Sequence, residues 1–327
     1  MNRRTTFITG TPTFIFETLS AIRTSSFVRT LSFVRTLSVV GILSAVLLLS
    51  VFAGGTSALF GNDGNDGNDA VCYPGTQSDW NGYPCWDFQF EGRGAKIVVP
   101  AKPAEGTPWL WRARFFGHEP QTDIAMLGLG WHIVWLDSAP LMGSPESVAL
   151  WQRFYTYLTE TFGFSRTADL EGMSRGGLYI MNWVLAYPDE VRRVYIDNPV
   201  LDFKSWPGGQ GAGPGSEGDW RDTLIAYGLT EESAKTYGLN PIDNPALKTL
   251  AEKKVPILAV CGDSDTCVPF PENGAILRQR YEELGGPFRL ILKPGNDHHP
   301  HSLSDPTPIV EFFTAPEAPT GEIQLHY

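Results

Sequence analysis

A serine, a pair of aspartates and a group of histidines stand in three separate stretches of the sequence: LEGMSRGG (170–177), GDSDTCVP (262–269) and PGNDHHPH (294–301). A serine hydroxyl becomes a good nucleophile only beside a base that takes its proton, and that base needs an acid to orient it. These residue types are therefore the first candidates for chemistry in the chain.

Ser174 lies in a Gly-x-Ser-x-Gly pentapeptide, after an apolar run at 168–173 and before a helical pattern at 175–187. A strand-to-helix turn this sharp lifts the serine hydroxyl clear of the sheet, and side chains at the glycine positions would collide there. Ser174 is thus the candidate nucleophile, and the backbone N–H of Arg175 is the first candidate donor to an oxyanion. The alternative is an ordinary glycine-rich turn.

The acid and the base are expected at the ends of later strands, in the order Ser, Asp, His. Asp263 and Asp265 follow the apolar run 255–263, and His298, His299 and His301 follow the next run, 288–294. Loops at the carboxyl ends of parallel strands converge on one crevice, so these side chains should meet Ser174 there.

The elements that position these loops follow from the apolar pattern. Helices are predicted at 121–129, 145–162, 175–187, 271–284 and 305–314, and strands at 95–100, 109–116, 131–137, 168–173, 191–197, 255–263 and 288–294. Alternating strands and helices with nearly continuous apolar strands predict an α/β fold, in which helices cover both faces of a mostly parallel central sheet. Residues 201–250 interrupt the alternation, and this insertion is either a small cap over the site or an inert excursion.

From about residue 90 to 316 the sequence resembles the α/β-hydrolase superfamily, with an elbow in GMSRGG, an acid loop in GDSDTCVP and a histidine loop in PGNDHHPHSLSDP. The resemblance implies a Ser174–His298–Asp265 triad, in which Asp263 caps the acid turn. The elbow is also similar to that of secreted carbohydrate esterases such as the glucuronoyl esterases, which have Cys and Lys where this chain has Met173 and Gly177. Peptidases of the prolyl-oligopeptidase type share such a catalytic domain.

Many members of the superfamily carry His-Gly after the third strand, where a backbone N–H contributes to the oxyanion hole. This chain reads WRARFFGHEP (111–120) instead. The second oxyanion donor is then a backbone N–H within 112–116 or the side chain of Arg112 or Arg114. Arg112 could also grip a substrate carboxylate, or each arginine could pair with a surface acid.

The three clustered histidines also raise the question of a metal. A zinc site needs convergent ligands from one helical face or from two elements. His298 and His299 are adjacent, Pro300 prevents a regular helix, and no other His or Cys/His spacing in the sequence supplies a set. We therefore expect no metal and no cofactor, with one histidine as the base, His299 as a candidate substrate contact and His301 in the loop.

The charge of the chain limits its partners. Net charge is −11, and residues 59–327 hold 20 Lys and Arg against 35 Asp and Glu. An acidic surface repels phosphate backbones, so nucleic-acid binding is excluded as a function class.

Residues 1–58 have the pattern of an export signal. A segment without charge, 37–60, follows three arginines, and small residues lead to a possible cleavage site after Ala58. The alternatives are an uncleaved anchor, since the run is about long enough to span a bilayer, or neither. Residues 59–71, which include GNDGNDGND, read as a flexible linker, and 72–327 as the catalytic domain. The expected location is the periplasm or the exterior, or the membrane if the segment stays as an anchor.

Cysteine usage fits export. An even count of four suggests two disulfides, and sequence-local pairing would give Cys72–Cys85 and Cys261–Cys267. The alternative is free buried thiols.

Three function classes compete. The first is an exported serine esterase acting on a small or carbohydrate ester, since the aromatic faces of the ten Trp side chains suit sugar rings. The second is a serine peptidase of the prolyl-oligopeptidase type, and the third is a binding protein without catalysis on a hydrolase fold.

Overall fold

A computed structural model describes residues 71–326 of the chain. Residues 1–70 lie outside the described part, and with them the predicted export signal and nearly all of the linker. Within 71–326, no helix combines the length and the apolar character that crossing a membrane requires.

Ten strands of residues 71–326 form one sheet in the order β1-β2-β3-β5-β4-β6-β7-β8-β9-β10. Three neighbouring pairs, β1-β2, β2-β3 and β3-β5, are antiparallel. Every other neighbouring pair is parallel. The strands are β1 Thr76–Trp80, β2 Tyr83–Phe90, β3 Arg93–Val98, β4 Trp109–Ala113, β5 His132–Leu136, β6 Ala168–Met173, β7 Val191–Asp197, β8 Ile257–Gly262, β9 Phe288–Lys293 and β10 Gly321–Gln324.

In the described part of the chain, eight α-helices connect the strands: α1 Gln121–Gly128, α2 Pro145–Thr161, α3 Gly176–Ala186, α4 Glu217–Tyr227, α5 Glu231–Lys235, α6 Leu247–Glu252, α7 Gly274–Glu283 and α8 Thr307–Thr314. The start of α2 shows how the local sequence determines where a helix begins. The Ser144 side chain accepts from the Ser147 N–H, and Pro145 occupies the first turn, where its missing N–H costs nothing.

Two apolar layers cover the two faces of the sheet, because successive strand side chains point to opposite faces. On β4, Trp109 and Trp111 pack into the layer built with α2, α3 and α7, whereas Leu110 packs into the layer built with α1 and α8. A third apolar cluster joins the segment after β7 to the start of α3. The predicted α/β-hydrolase architecture, with a mostly parallel sheet and helices on both faces, is confirmed.

The insertion between β7 and β8 carries α4, α5 and α6. Its first part, around Phe203 and Trp206, belongs to the third apolar cluster. The same cluster contains Leu178 of α3, next to the turn that carries Ser174. One edge of the insertion therefore lies against the predicted site.

The predicted disulfides are wrong, because all four cysteines are free thiols. Cys85 is a buried residue of β2, whereas Cys72 is exposed before β1. Cys261 packs into the first apolar layer, whereas Cys267 packs into the third cluster. Within each expected pair the two side chains belong to different environments, and the alternative of free thiols holds.

Candidate active site

Ser174 stands at the turn from β6 into α3 with a φ of 51°. Residues with side chains rarely adopt this conformation, and a strained serine is typical of a nucleophile turn. The Ser174 N–H donates to the backbone oxygen of Asp197, at 2.8 Å, which fixes the turn to the end of β7. A Cβ at Gly172 would lie 2.5 Å from Ile180 Cδ1. Only glycine fits beside this turn.

His298 lies between Ser174 and Asp265. Its Nε2 atom is 3.0 Å from Ser174 Oγ, and its Nδ1 atom is 2.7 Å from Asp265 Oδ2. All three side chains are buried. The structure thus brings together the serine, histidine and aspartate that the sequence singles out, in the geometry of a nucleophile, a base and an orienting acid.

The acid loop holds Asp265 in a fixed orientation. Its Oδ1 atom accepts from the N–H groups of Cys267 and Val268, at 2.9 and 2.7 Å, so that Oδ2 is free for His298. Asp263 points to solvent, and its Oδ1 atom accepts from the Gly295 N–H at 2.7 Å. Asp263 therefore ties the acid loop to the turn after β9, whereas it was expected to cap the acid turn itself.

Two residues that the sequence reasoning missed hold the histidine loop. Asn198 donates from its amide to the His298 backbone oxygen and accepts from the Gly262 N–H, each at 2.8 Å. Asp297 accepts from the N–H groups of His298 and Thr266, at 2.8 and 2.7 Å. The sequence could have indicated Asn198 as a site residue, because it directly follows a predicted strand.

A cavity of about 360 Å³ opens above Ser174. Besides Ser174, its wall is formed by three large aromatic residues, four histidines, one arginine and one cysteine: Phe115, Phe116, Trp206, His118, His298, His299, His301, Arg175 and Cys267. Trp206 comes from the insertion, and Phe115 and Phe116 come from the loop after β4. The pocket therefore combines a polar end at the serine with flat apolar walls.

Comparison with known proteins agrees with this geometry. The family model described as prolyl oligopeptidase family matches residues 156–313, which contain Ser174, Asp265 and His298. The match covers just under half of the chain, and the fold is that of the α/β-hydrolases.

Solved structures with the same fold include a puromycin-hydrolyzing peptidase of Mycobacterium tuberculosis (14% identity, 66% of this chain and 36% of that one, TM-score 0.51). An acylaminoacyl peptidase of Pyrococcus horikoshii (16% identity, 68% and 40%, TM-score 0.50) and a puromycin hydrolase (18% identity, 66% and 36%, TM-score 0.50) are also similar. The chain spans about two fifths or less of the length of these proteins. No curated protein sequence matches it.

Arg112 of this α/β-hydrolase is not free to bind a substrate. Its guanidinium is buried, and it pairs with Asp123 of α1 and with Glu171 of β6, the latter at 3.1 Å. It also donates to the backbone oxygens of Phe115 and His118. The predicted roles of Arg112 in substrate and oxyanion binding are therefore wrong: it neutralises two buried acids and fixes the loop after β4.

The Asp123 and Glu171 carboxyls share this buried environment. Burial raises the pKa of both groups, and for Glu171 the negative charge of Asp123 raises it further, although Arg112 opposes the shift. The pKa of Glu171 ends well above its usual value, so that Glu171 retains its proton more readily than an exposed glutamate.

The other two arginines near the elbow differ in position. Arg114 stands outside the cavity wall, with its guanidinium 5.6 Å from the Phe115 ring and 5.8 Å from the Tyr179 ring. Arg175 is the N-cap residue of α3, and its side chain pairs with Asp219 and lies 5.1 Å from the Trp206 ring. The Arg175 backbone N–H stays the predicted first oxyanion donor, and the second donor stays a prediction.

His118 is the residue that the sequence reasoning missed altogether. It lies in the loop between β4 and α1, and one ring nitrogen from each of His118, His299 and His301 falls within 4.8 Å of the other two. The premise that no further histidine could join the cluster is wrong, because the loop after β4 brings His118 to it, and Arg112 donates to two backbone oxygens of that loop. His299 lines the cavity, where it was expected to contact substrate.

The buried carboxyl group of Asp197 holds the His301 ring in place. Its Nδ1 atom lies 2.8 Å from Asp197 Oδ1, and Asp197 also accepts from the Tyr195 hydroxyl and the Ser302 N–H. Burial alone would raise the pKa of Asp197, but Lys293 and His301 hold it below its usual value. Asp197 is therefore a buried carboxylate, and it leaves only Nε2 of His301 free.

Proposed function

We propose that this chain is a serine peptidase, which cleaves an acyl–nitrogen bond through an acyl-enzyme on Ser174. The hydrogen-bonded line from Ser174 through His298 to Asp265 carries the proposal, with distances of 3.0 and 2.7 Å. The match of residues 156–313 to the prolyl oligopeptidase family favours an amide over an ester as the natural substrate.

In the proposed mechanism, Nε2 of His298 takes the Ser174 hydroxyl proton as Oγ bonds to the carbonyl carbon. The carbonyl electron pair moves to oxygen, where the Arg175 N–H stabilises it. The C–N bond then breaks, His298 returns the proton to the leaving nitrogen, and Ser174 is acylated. Water, deprotonated by the same imidazole, attacks the acyl carbon and releases the acid and the free serine.

Asp265 has a separate part in this mechanism. Its Oδ2 atom accepts from Nδ1 of His298, so that Nε2 is the unprotonated nitrogen that faces Ser174. The same carboxylate stabilises the imidazolium that forms when the proton is taken. Because two backbone N–H groups already fix Oδ1, the acid needs no reorganisation during the reaction.

Ester hydrolysis is the second candidate, and the cavity wall favours it. Phe115, Phe116 and Trp206 present aromatic faces next to Ser174, and such faces suit the apolar side of a sugar ring. A carbohydrate or other small ester would then take the place of the peptide, with the same residues acting on a C–O bond.

Two measurements test these proposals. A fluorophosphonate probe should label the wild type once per chain and leave Ser174→Ala unlabelled; equal labelling of the variant would disprove the nucleophile. A panel then compares kcat/KM for puromycin, an N-acylated aminoacyl p-nitroanilide and a prolyl p-nitroanilide with that for acetylated xylan, a glucuronate methyl ester and p-nitrophenyl acetate.

The outcomes of the panel separate the candidates. Turnover of an amide that is abolished in Ser174→Ala supports the peptidase. Turnover of the carbohydrate esters alone supports the esterase and rejects the peptidase. Labelling at Ser174 without turnover of any of the six substrates would favour a binding protein on a hydrolase fold.

We also propose that the chain is exported. The support is the uncharged run at 37–60 behind three arginines. Mass spectrometry of the protein from the producing cell should give a mature N-terminus near residue 59 in the exported fraction. A full-length chain in the membrane fraction would indicate an anchor, and a full-length chain in the cytosol would contradict export.

A further inference from the structure

We propose that His118, His299 and His301 form an open three-histidine site for a Zn²⁺ ion on the wall of the cavity, beside Ser174. The three side chains come from two loops that lie 180 residues apart in sequence, and no step of the proposed hydrolysis uses them. One nitrogen from each lies within 4.8 Å of the other two.

The ligand geometry fits zinc after a small adjustment. With Zn–N bonds of 2.0–2.1 Å in a tetrahedron, the ligand nitrogens stand about 3.3 Å apart. His118 and His299 are exposed, so their rings can rotate to close the remaining distance. The ring planes of His118 and His299 are perpendicular, at 90°, and those of His299 and His301 are at 82°, so no ring stacks over another and blocks the space between the nitrogens.

The second observation is the support beneath His301. Zinc-bound histidines commonly donate their other ring N–H to a carboxylate, which fixes the ring and makes the ligand nitrogen more basic. The Asp197 carboxylate stands 2.8 Å from His301 Nδ1 and is fully buried, so Nε2 is left for the ion. Asp197 in turn accepts from Tyr195 and Ser302, which fixes its position.

The charges around the cluster also suit a cation. The Asp197 carboxylate beneath His301 places a negative charge next to the cluster. Arg112 lies close to His118, but its guanidinium is turned to and paired with the carboxyl groups of Asp123 and Glu171.

The open side of the site faces the substrate space. All three histidines and Ser174 line the same cavity. A three-ligand zinc site keeps a fourth position for an exchangeable oxygen ligand. An oxygen atom bound there would share the cavity with the nucleophile, so the ion would bind one end of a substrate while Ser174 attacks another.

The test uses full-length protein without a histidine tag, stripped with a chelator and titrated with Zn²⁺ against a chromophoric competitor. We expect one ion per chain, and Co²⁺ in its place should give the visible absorption bands of a tetrahedral site. His118→Ala and His299→Ala, both at exposed positions, should each weaken Zn²⁺ binding ~100-fold or more, beyond the 10–100-fold typical of changes outside the ligand shell. His326→Ala is the matched control for an exposed histidine elsewhere.

Two results would overturn the site: wild-type protein that binds no stoichiometric Zn²⁺, or ion binding that survives unchanged in the His118→Ala/His299→Ala double variant. Circular dichroism and thermal unfolding of each variant establish that it is folded. Ser174→Ala should bind Zn²⁺ as the wild type does, because Ser174 is not a ligand. The metal site can thus fail while the hydrolase proposal stands, and the reverse also holds.

Discussion

The Nε2 atom of His298 lies 3.0 Å from the Oγ atom of Ser174, although the two residues are 124 positions apart in the chain. Ser174 follows β6 and His298 follows β9, with β7 and β8 between them in the sheet. The contact therefore depends on two loops reaching over the ends of two intervening strands. Asn198, between those loops, makes this approach rigid.

Removal of the His298 imidazole should abolish most hydrolysis. His298→Ala should lower kcat by about 10³-fold or more, on the scale of losing one member of a triad. The measurement is kcat on the best substrate of the panel, and His326→Ala, at an exposed histidine near the C-terminus, should retain wild-type kcat. Comparable rates in His298→Ala and the wild type would rule out His298 as the base.

The two aspartates of the acid loop should differ sharply in effect. Asp265→Asn replaces the acceptor for His298 Nδ1–H, favours the wrong tautomer, and should lower kcat by about 10³-fold or more. Asp263→Asn changes the contacts to the Gly295 N–H and the Ser264 hydroxyl, neither of which involves His298, and should cost less than about tenfold. If the two variants ranked in the opposite order, the acid would be Asp263.

Arg112 should matter for stability. Arg112→Ala leaves Asp123 and Glu171 buried without their cation, and should lower the free energy of unfolding by about 3–5 kcal/mol. The matched control is Arg153→Ala, which breaks an exposed ion pair with Glu91 and should cost less than about 1 kcal/mol. Urea unfolding measures both, and an equal cost for the two variants would contradict the role of Arg112.

His132 should make the protein less stable in acid. Burial lowers the pKa of this imidazole to about 4, while Tyr73 hydrogen bonds to its Nε2 atom at 3.1 Å. Between about pH 6.5 and 4 the unfolded chain binds a proton at His132 that the folded chain does not. This part of the stability is therefore complete above about pH 6.5 and is lost as the pH falls towards 4.

Replacing His132 with a residue that does not titrate isolates its contribution to the pH dependence of stability. His132→Gln should flatten the dependence of the free energy of unfolding on pH over this range, by up to about 3 kcal/mol. Denaturant unfolding at several values of pH measures it, and the remaining titrating groups are common to both proteins. Parallel curves for the wild type and the variant would show that His132 does not carry the acid sensitivity.

The four cysteines should react as free thiols. In native protein an alkylating reagent should modify the exposed Cys72 quickly and leave Cys85 and Cys261 unmodified, because burial shields both thiols and raises the pKa of each. After unfolding without a reductant, all four should react. An intact mass that rises by ~4 Da on reduction would instead establish two disulfides.

The central part of the fold could be predicted from the sequence, and the edges could not. The seven predicted strands and five predicted helices are present with ends displaced by only a few residues, because each buries a long apolar pattern. Three strands were missed. The strands β1 and β10 are short and largely exposed at the two edges of the sheet, and β2, next to β1, buries only Cys85 and Phe88 among its eight residues. Backbone pairing holds these strands in the sheet, and it leaves no strong apolar pattern in the sequence.

The residues of the candidate site likewise divide into those that the sequence predicts and those that it does not. Ser174, Asp265 and His298 follow strands whose order fixes where they meet, so their proximity was predictable. His118 and Trp206 reach the cavity on long connections, whose paths depend on tertiary contacts. Arg112 was misjudged because its partners, Asp123 and Glu171, are buried acids, which a reading of sequence places at the surface.

Asp197 supports two neighbouring parts of this molecule at once. Its backbone oxygen accepts the Ser174 N–H, and its carboxylate holds His301. A displacement of the end of β7 would therefore act on both the serine turn and His301. The end of β7 thus helps to set the distance between Ser174 and His301. That distance decides how long a substrate must be to contact both residues.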